Sequence, residues 1–346
     1  MNIYDYLKFY QEKSVTEINW NMMDNLVLSI LAYLPISSFL SSKSLGELVS
    51  YAECFSENDM PGAMSPFACK ILKLINNSKR YKNMVISDFI NIRNDKTQFG
   101  AMCVSLGNIK TIAFKGSDGT FISWLENIRM SYMDKTYTDI LAHKYLDKHI
   151  TMKKEKIFVT GHSKGGHLAL MSSLLLKKNK LAKINKIYNF DGPGVLKEIY
   201  NSQNYEILKT KLVNIVPTGS VVGVCLYNDE YQVVKSSNLA FNEHYPFSWQ
   251  IFGEFFIPGN LSLLSRQLHE NTTVNLDSLD RETLKNTIEE ISIKLCDNVT
   301  DPIQFDIIKL KETIKNMPSI DADVYKYLIK ALETVLSISK NNQDDL

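Results

Sequence analysis

Between residues 110 and 216 short apolar runs alternate with stretches of helical rhythm, and this alternation constrains the chain more than any other feature. The runs at 110–114, 156–160, 186–190 and 211–216 read as strands; 121–150, 164–179 and 193–209 read as helices. Strands separated by helices are suited to parallel pairing, so the expected fold class is α/β, with a mainly parallel central sheet flanked by helices. Upstream, 90–91 and 100–106, with turns at Asn94-Asp95 and Gly107-Asn108, suggest a meander entering that sheet. Downstream, GVCLY (223–227) and YQVVKS (231–236) read as short strands before a loop around His244.

The flanks differ from this middle. Residues 19–34 place Leu26, Ile30, Leu31 and Leu34 on one helical face, and Pro35 ends the run. Residues 39–90 read as further helix with loops, broken at Pro61-Gly62. From 276 onward three amphipathic helical patterns follow, separated by Pro302 and Pro318, and the acidic end NNQDDL is expected to fray. The expected organisation is a catalytic-type domain over 1–275, with N-terminal helices 1–90 packed on it, and a helical C-terminal appendage over 276–346.

Composition excludes several classes. Thirty-nine lysines and arginines against 38 aspartates and glutamates leave no field to attract nucleic acid. Five scattered cysteines fit neither a disulfide framework nor a zinc site, and no His, Cys and carboxylate cluster stands at ligand spacing, so no metal or organic cofactor is expected. The first residues lack a signal-peptide core, and the apolar stretch 26–34 is too short to span a bilayer; a cytoplasmic protein is expected.

Chemistry concentrates in IFVTGHSKGGHLALMSS, residues 157–173. Gly-x-Ser-x-Gly alone is a weak pattern. Preceded by a strand and followed by a small-residue helix, it fits a nucleophile elbow, in which Ser163 sits in strained backbone and Gly161 and Gly165 prevent clashes. A serine hydroxyl needs a base, which in α/β-hydrolase order follows the serine in sequence. His143 and His149 precede Ser163, and His162 and His167 belong to the elbow and its helix as packing or polar supports. His244, in the aromatic loop FNEHYPFSWQI, is favoured over His269, in the polar helical SRQLHEN. For the acid, Asp191 in NFDGPGV lies at a strand's carboxyl end beside the serine's strand; Asp229, in YNDEY, is the competitor. Oxyanion donors are expected from the backbone N–H of Lys164 and from Ser117, in the turn Lys115-Gly116-Ser117.

With these residues in place, AFKGSD…SWLENI and VTGHSKGGHLAL resemble the oxyanion strand and elbow of class 3, fungal-type lipases, a branch of the α/β-hydrolases. More specifically, DNLVLSILAYL, NFDGPGV, VPTGSVVGVCL and EHYPFSWQ resemble an uncharacterised bacterial lipase-like family, over about residues 20–290. The resemblance implies an α/β-hydrolase fold and a serine hydrolase acting on an ester or lipid, with Ser163 as nucleophile, His244 as base, and Ser117 and Lys164 at the oxyanion. Two positions depart from the class 3 pattern. Lys164 stands where leucine is usual, placing a charge at an expected apolar pocket, and the strand expected to carry the acid reads VNIVPTGSVVG, without an aspartate, which moves the acid to Asp191.

The resemblance also implies a lid after the oxyanion strand. Residues 118–135 carry Phe121, Trp124, Leu125, Ile128 and Met133 at helical spacing, which suits either a lid opening toward a transient membrane or micelle contact or a helix packed in the core. The leading reading is a serine carboxylester hydrolase of lipase, lysophospholipase or esterase type. A thioesterase or acyltransferase, and an idle scaffold acting through its C-terminal helices, are the alternatives. The sequence carries no reading of oligomeric state.

Overall fold

The computed structural model describes residues 1–52, 62–94, 96–151, 154–228, 230–296, 307–317 and 320–340. Its frame is an eight-stranded sheet in sequential order: β1 (Lys43–Ser44), β2 (Val85–Arg93), β3 (Gln98–Leu106), β4 (Ile109–Phe114), β5 (Lys156–His162), β6 (Ile184–Phe190), β7 (Leu212–Pro217) and β8 (Tyr231–Val234). The first four form an antiparallel meander, and β4 through β8 run parallel. Parallel neighbours need long crossovers. Helices Phe121–Arg129 and Tyr137–His149 lie between β4 and β5, Lys164–Leu174 between β5 and β6, and the short Lys197–Tyr200 and Gln203–Lys209 between β6 and β7. All six residues of β4 are buried, as suits a central strand covered on both faces.

Each face has its own core. On one, helix Lys164–Leu174, buried along its whole length, packs with Val159, Ile187 and Tyr145. On the other, helices Met22–Leu31 and Ser65–Asn76 pack over Phe190, Ile215 and Trp249. Helix Met22–Leu31 is sandwiched so deeply that Asp24, Asn25 and Ser29 are buried with its leucines. Asn21 caps its start reciprocally with Asp24, and Thr160 of β5 donates to the Asn25 carbonyl at 3.1 Å. The Asp24 carboxylate accepts two 2.7 Å bonds from Arg80 and one of 2.6 Å from Tyr81. Burial opposes the charge on Arg80, but Asp24 outweighs it and holds the guanidinium above its ordinary pKa.

Several sequence expectations change. The helical reading of 39–90 misses β2, which begins at Val85. GVCLY forms no strand: 221–226 is a series of turns, with Leu226 at φ +64° and a single bridge between Tyr227 and Val195. The rhythm over 121–150 is interrupted where Thr136 and Asp139 form a capping box that starts a second helix. Pro61, Asp95, Pro302, Pro318 and the NNQDDL end lie outside the described residues.

Helices Arg281–Cys296, Ile307–Lys315 and Ala322–Lys340 follow the sheet region. Ile291, Leu295, Leu310 and Ile314 cluster with Phe121, while Leu284, Ile288 and Val324 cluster with Leu125 and Met130. These helices therefore dock on helix Phe121–Arg129. Among the described residues no helix is long and apolar enough to cross a membrane.

Replacing Asp24 by alanine leaves a buried guanidinium without its counter-charge, which costs roughly 3–5 kcal/mol. A lowered urea midpoint, measured by circular dichroism, is the expected outcome; an unchanged midpoint would remove this ion pair from the account.

Candidate active site

Ser163 follows the last residue of β5 and precedes helix Lys164–Leu174, and it turns the chain with φ +59° and ψ −133°. For a non-glycine residue such backbone costs about 1–3 kcal/mol, so its surroundings must hold it. Its N–H donates to the Phe190 carbonyl at 2.9 Å, and its own carbonyl accepts from Gly166 at 2.8 Å. The glycines on either side make the turn possible. A Cβ on Gly161 would stand 2.0 Å from the Gly165 oxygen, and one on Gly165 would stand 2.2 Å from the Phe114 oxygen.

One strand over, Asp191 directly follows β6 and is also in left-handed backbone, at φ +49°. Its side chain is fully buried and accepts three hydrogen bonds. Oδ2 lies 2.6 Å from His244 Nδ1, while Oδ1 accepts from Ser220 Oγ at 2.5 Å and from the Gly223 N–H at 3.0 Å. A carboxylate can only accept, so Nδ1 carries the proton of this bond and Nε2 of a neutral His244 is left with its lone pair. Ser220 and Gly223 belong to VPTGSVVG, the stretch without an acid. That stretch instead supplies the donors that hold the Asp191 carboxylate at the end of the neighbouring strand.

The remaining histidines have other partners. His269 Nδ1 faces the Val224 carbonyl at 2.7 Å, and His149 Nε2 lies 2.7 Å from Asp88. His167 Nδ1 donates to the Gly194 carbonyl at 2.8 Å; burial opposes its charge, but Asp139 and the nearby carbonyls of Gly194 and Pro193 outweigh this and raise its pKa. His162, fully enclosed, donates from Nε2 to the backbone carbonyl of His244 at 2.8 Å. Its ring packs 4.6 Å from the His244 ring, and the Tyr33 hydroxyl, just beyond helix Met22–Leu31, stands 3.1 Å from its Nδ1. Burial, with the charge of His244 adding to it, pushes His162 well below the ordinary imidazole range and keeps it neutral. Tyr33 and Ser220 lie in the family-like stretches DNLVLSILAYL and VPTGSVVGVCL, but the sequence singles out neither as a site residue. Asp229 lies outside the described residues.

Ser117 and Ser163 line one cavity, with His244 and His162 beside them. Ser117 Oγ accepts from Asn127 Nδ2 at 2.9 Å, which leaves the hydroxyl hydrogen of Ser117 available to another acceptor. Lys164, as the first helical residue, has a backbone N–H without an intrahelical partner to accept it. Its side chain corrects the sequence reading: the ammonium does not enter the cavity. It runs into the interior, where Nζ bonds the Gln98 carbonyl at 2.7 Å, Gln98 Oε1 at 2.6 Å and Glu126 Oε2 at 2.8 Å. Burial lowers its pKa, and Glu126 opposes that. Helix Phe121–Arg129, which carries Glu126, is also held one turn further on by Arg129, whose paired bonds to Glu289 measure 2.9 and 2.7 Å. It is tied to both the elbow and the C-terminal helices.

The cavity measures about 460 Å³, within the range of small-molecule sites. Phe121, Trp124, Leu125 and Ile128 line it from one helix, and Ile291, Leu328 and Leu332 from the C-terminal helices. Among the described residues no group of three or more histidines, cysteines and carboxylates could hold a metal.

A parallel sheet entered by an antiparallel meander, with a strained serine between strand and helix, defines an α/β-hydrolase fold. Within that class the chain belongs to the Mbeg1-like family, whose profile matches residues 75–292, more than half of its length. No curated protein matches it in sequence. Among solved structures it is similar to the M37 lipase, at 16% identity over 58% of this chain and 68% of that one, with a TM-score of 0.38. It is also similar to the Lip2 lipase from Yarrowia lipolytica, at 14% identity over 70% of this chain and 88% of that one, with a TM-score of 0.35.

Glu126→Leu strands the buried Lys164 ammonium and is expected to destabilise the fold by roughly 3–5 kcal/mol, whereas Lys164→Met combined with Glu126→Leu recovers most of that loss. Urea denaturation of the two single variants and the double variant measures the coupling; strictly additive losses would show that the pair does not act as a unit.

Proposed function

We propose that the protein is a serine carboxylester hydrolase in which Ser163, His244 and Asp191 form the catalytic triad. The observation that carries this reading is the 2.6 Å bond between Asp191 and His244 Nδ1, made by two residues 53 positions apart beside a serine in strained backbone. The ester carbonyl carbon is attacked by Ser163 Oγ as His244 Nε2 takes the hydroxyl proton. Asp191 stabilises the resulting imidazolium. Negative charge on the carbonyl oxygen is met by the N–H of Lys164 and by Ser117, whose hydroxyl is oriented by Asn127. The tetrahedral intermediate collapses as His244 returns its proton to the leaving alcohol, and water then releases the acid from Ser163 by the same steps. The lining favours an ester with an apolar acyl group, because its walls are largely aliphatic and aromatic.

His162 acts as a positioning residue in this reading: its Nε2 proton fixes the backbone that carries His244. Asp191→Asn offers a donor where His244 Nδ1 needs an acceptor, and a loss in kcat of about 10⁴-fold is expected, read as p-nitrophenyl butyrate hydrolysis. His162→Leu is expected to lower kcat/KM by about 10²-fold through misplacement, while His162→Gln, which keeps an amide donor, recovers most of it. Wild-type activity in Ser163→Ala would contradict the mechanism, and equal losses in the two His162 variants would contradict the positioning role.

A further inference from the structure

The Mbeg1-like match ends at residue 292, yet the cavity at Ser163 does not. Leu310 and Ile314 of helix Ile307–Lys315, and Leu328, Ala331 and Leu332 of helix Ala322–Lys340, line the same cavity as Ser163 and His244. We propose that these C-terminal helices are the selectivity wall of the site, and that they shape it for an aliphatic acyl chain. The proposal rests on the reading of Ser163 as the nucleophile, which it deepens by assigning acyl selectivity to a segment beyond the family region.

Three observations carry it. First, the wall is fixed to the rest of the molecule by specific bonds. Asn271 donates to Thr334 Oγ1 at 3.1 Å, and the Tyr327 hydroxyl donates to the Thr272 carbonyl at 3.4 Å. Helix Ala322–Lys340 thus keeps a defined place against the segment around 271, and Ala331 keeps a defined place in the lining.

Second, the wall is apolar where it meets the cavity and charged where it does not. Lys311 and Glu333 pair with each other at 2.9 Å and are absent from the lining, while their helical neighbours Leu310, Ile314, Ala331 and Leu332 belong to it. Third, among the described residues no lysine or arginine lines the cavity and Asp118 is its one carboxylate. An anionic headgroup taken inside would lose hydration without gaining a cation, and a peptide-like acyl group would leave buried amides unpaired. An alkyl chain meets neither penalty, and each methylene it buries contributes about 0.8 kcal/mol.

The wall is tested by changing its volume. For the wild type, kcat/KM for p-nitrophenyl laurate is expected to exceed that for p-nitrophenyl butyrate by at least about tenfold, as a few buried methylenes require. Ala331→Trp, which adds bulk to the lining, is expected to lower this laurate-to-butyrate ratio by about tenfold or more. Leu328→Ala, which removes bulk, is expected to shift the preferred acyl chain to greater length. Binding of the uncharged dye N-phenyl-1-naphthylamine to Ser163→Ala provides a readout without catalysis: methyl laurate is expected to displace it, and adding Ala331→Trp is expected to weaken displacement about tenfold or more. If Ser163 proves unreactive, the hydrolase reading fails while this displacement still tests the wall. If whichever wall variants retain the wild-type circular dichroism spectrum also retain its laurate-to-butyrate ratio and methyl laurate displacement, the proposal is overturned.

Discussion

The backbone of Ser163 is the constraint around which the molecule is arranged. A non-glycine residue at φ +59° and ψ −133° is tolerated only where its neighbours leave no alternative. Here β4 and β6 flank β5 in parallel register, the Phe190 carbonyl accepts from the serine N–H, and two glycines allow the following helix to approach within van der Waals contact of β4 and β5. The same arrangement sends the chain away from the sheet at Asp191, one strand along and also at positive φ. Two strained residues at the carboxyl ends of adjacent strands place a hydroxyl and a carboxylate on one rim, and His244 arrives beside them from beyond β8.

Ion pairs and hydrogen bonds then connect that geometry to the rest of the molecule. Lys164 and Glu126 join the elbow to helix Phe121–Arg129, and Arg129 and Glu289 join that helix to the C-terminal ones. On the opposite face of the sheet, Tyr33 reaches His162, which in turn holds the His244 backbone. The buried Lys164–Glu126 pair adds little net stability against a joint apolar replacement, whereas loss of one partner alone is costly. Helix Phe121–Arg129, restrained by both pairs, serves as a wall of the site.

Much of this was legible in the sequence because it depends on local periodicity. The alternation over 110–216 gives the parallel sheet, and Gly161, Ser163 and Gly165 between an apolar run and a small-residue helix give the elbow. Chain order and position after strands point to His244 and Asp191, and the structure brings these two together. The misses share a physical cause: they concern where a side chain points or what a distant segment covers. Lys164 follows the serine in sequence, yet the helix carries its ammonium into the interior, toward Gln98 and Glu126. GVCLY has strand composition, but its backbone is spent in turns that deliver the Gly223 N–H to Asp191. Tyr33 stands 129 residues before His162, and no periodicity links them.

Reaction of the folded protein with an alkyl fluorophosphonate, followed by peptide mass analysis, reports directly on whether Ser163 is a nucleophile. One adduct is expected, on the Ser163 hydroxyl, formed quickly in the wild type and lost in Ser163→Ala, with His244→Ala greatly slowed. Absence of an adduct on folded wild-type protein, or an adduct on a different serine, would contradict that role.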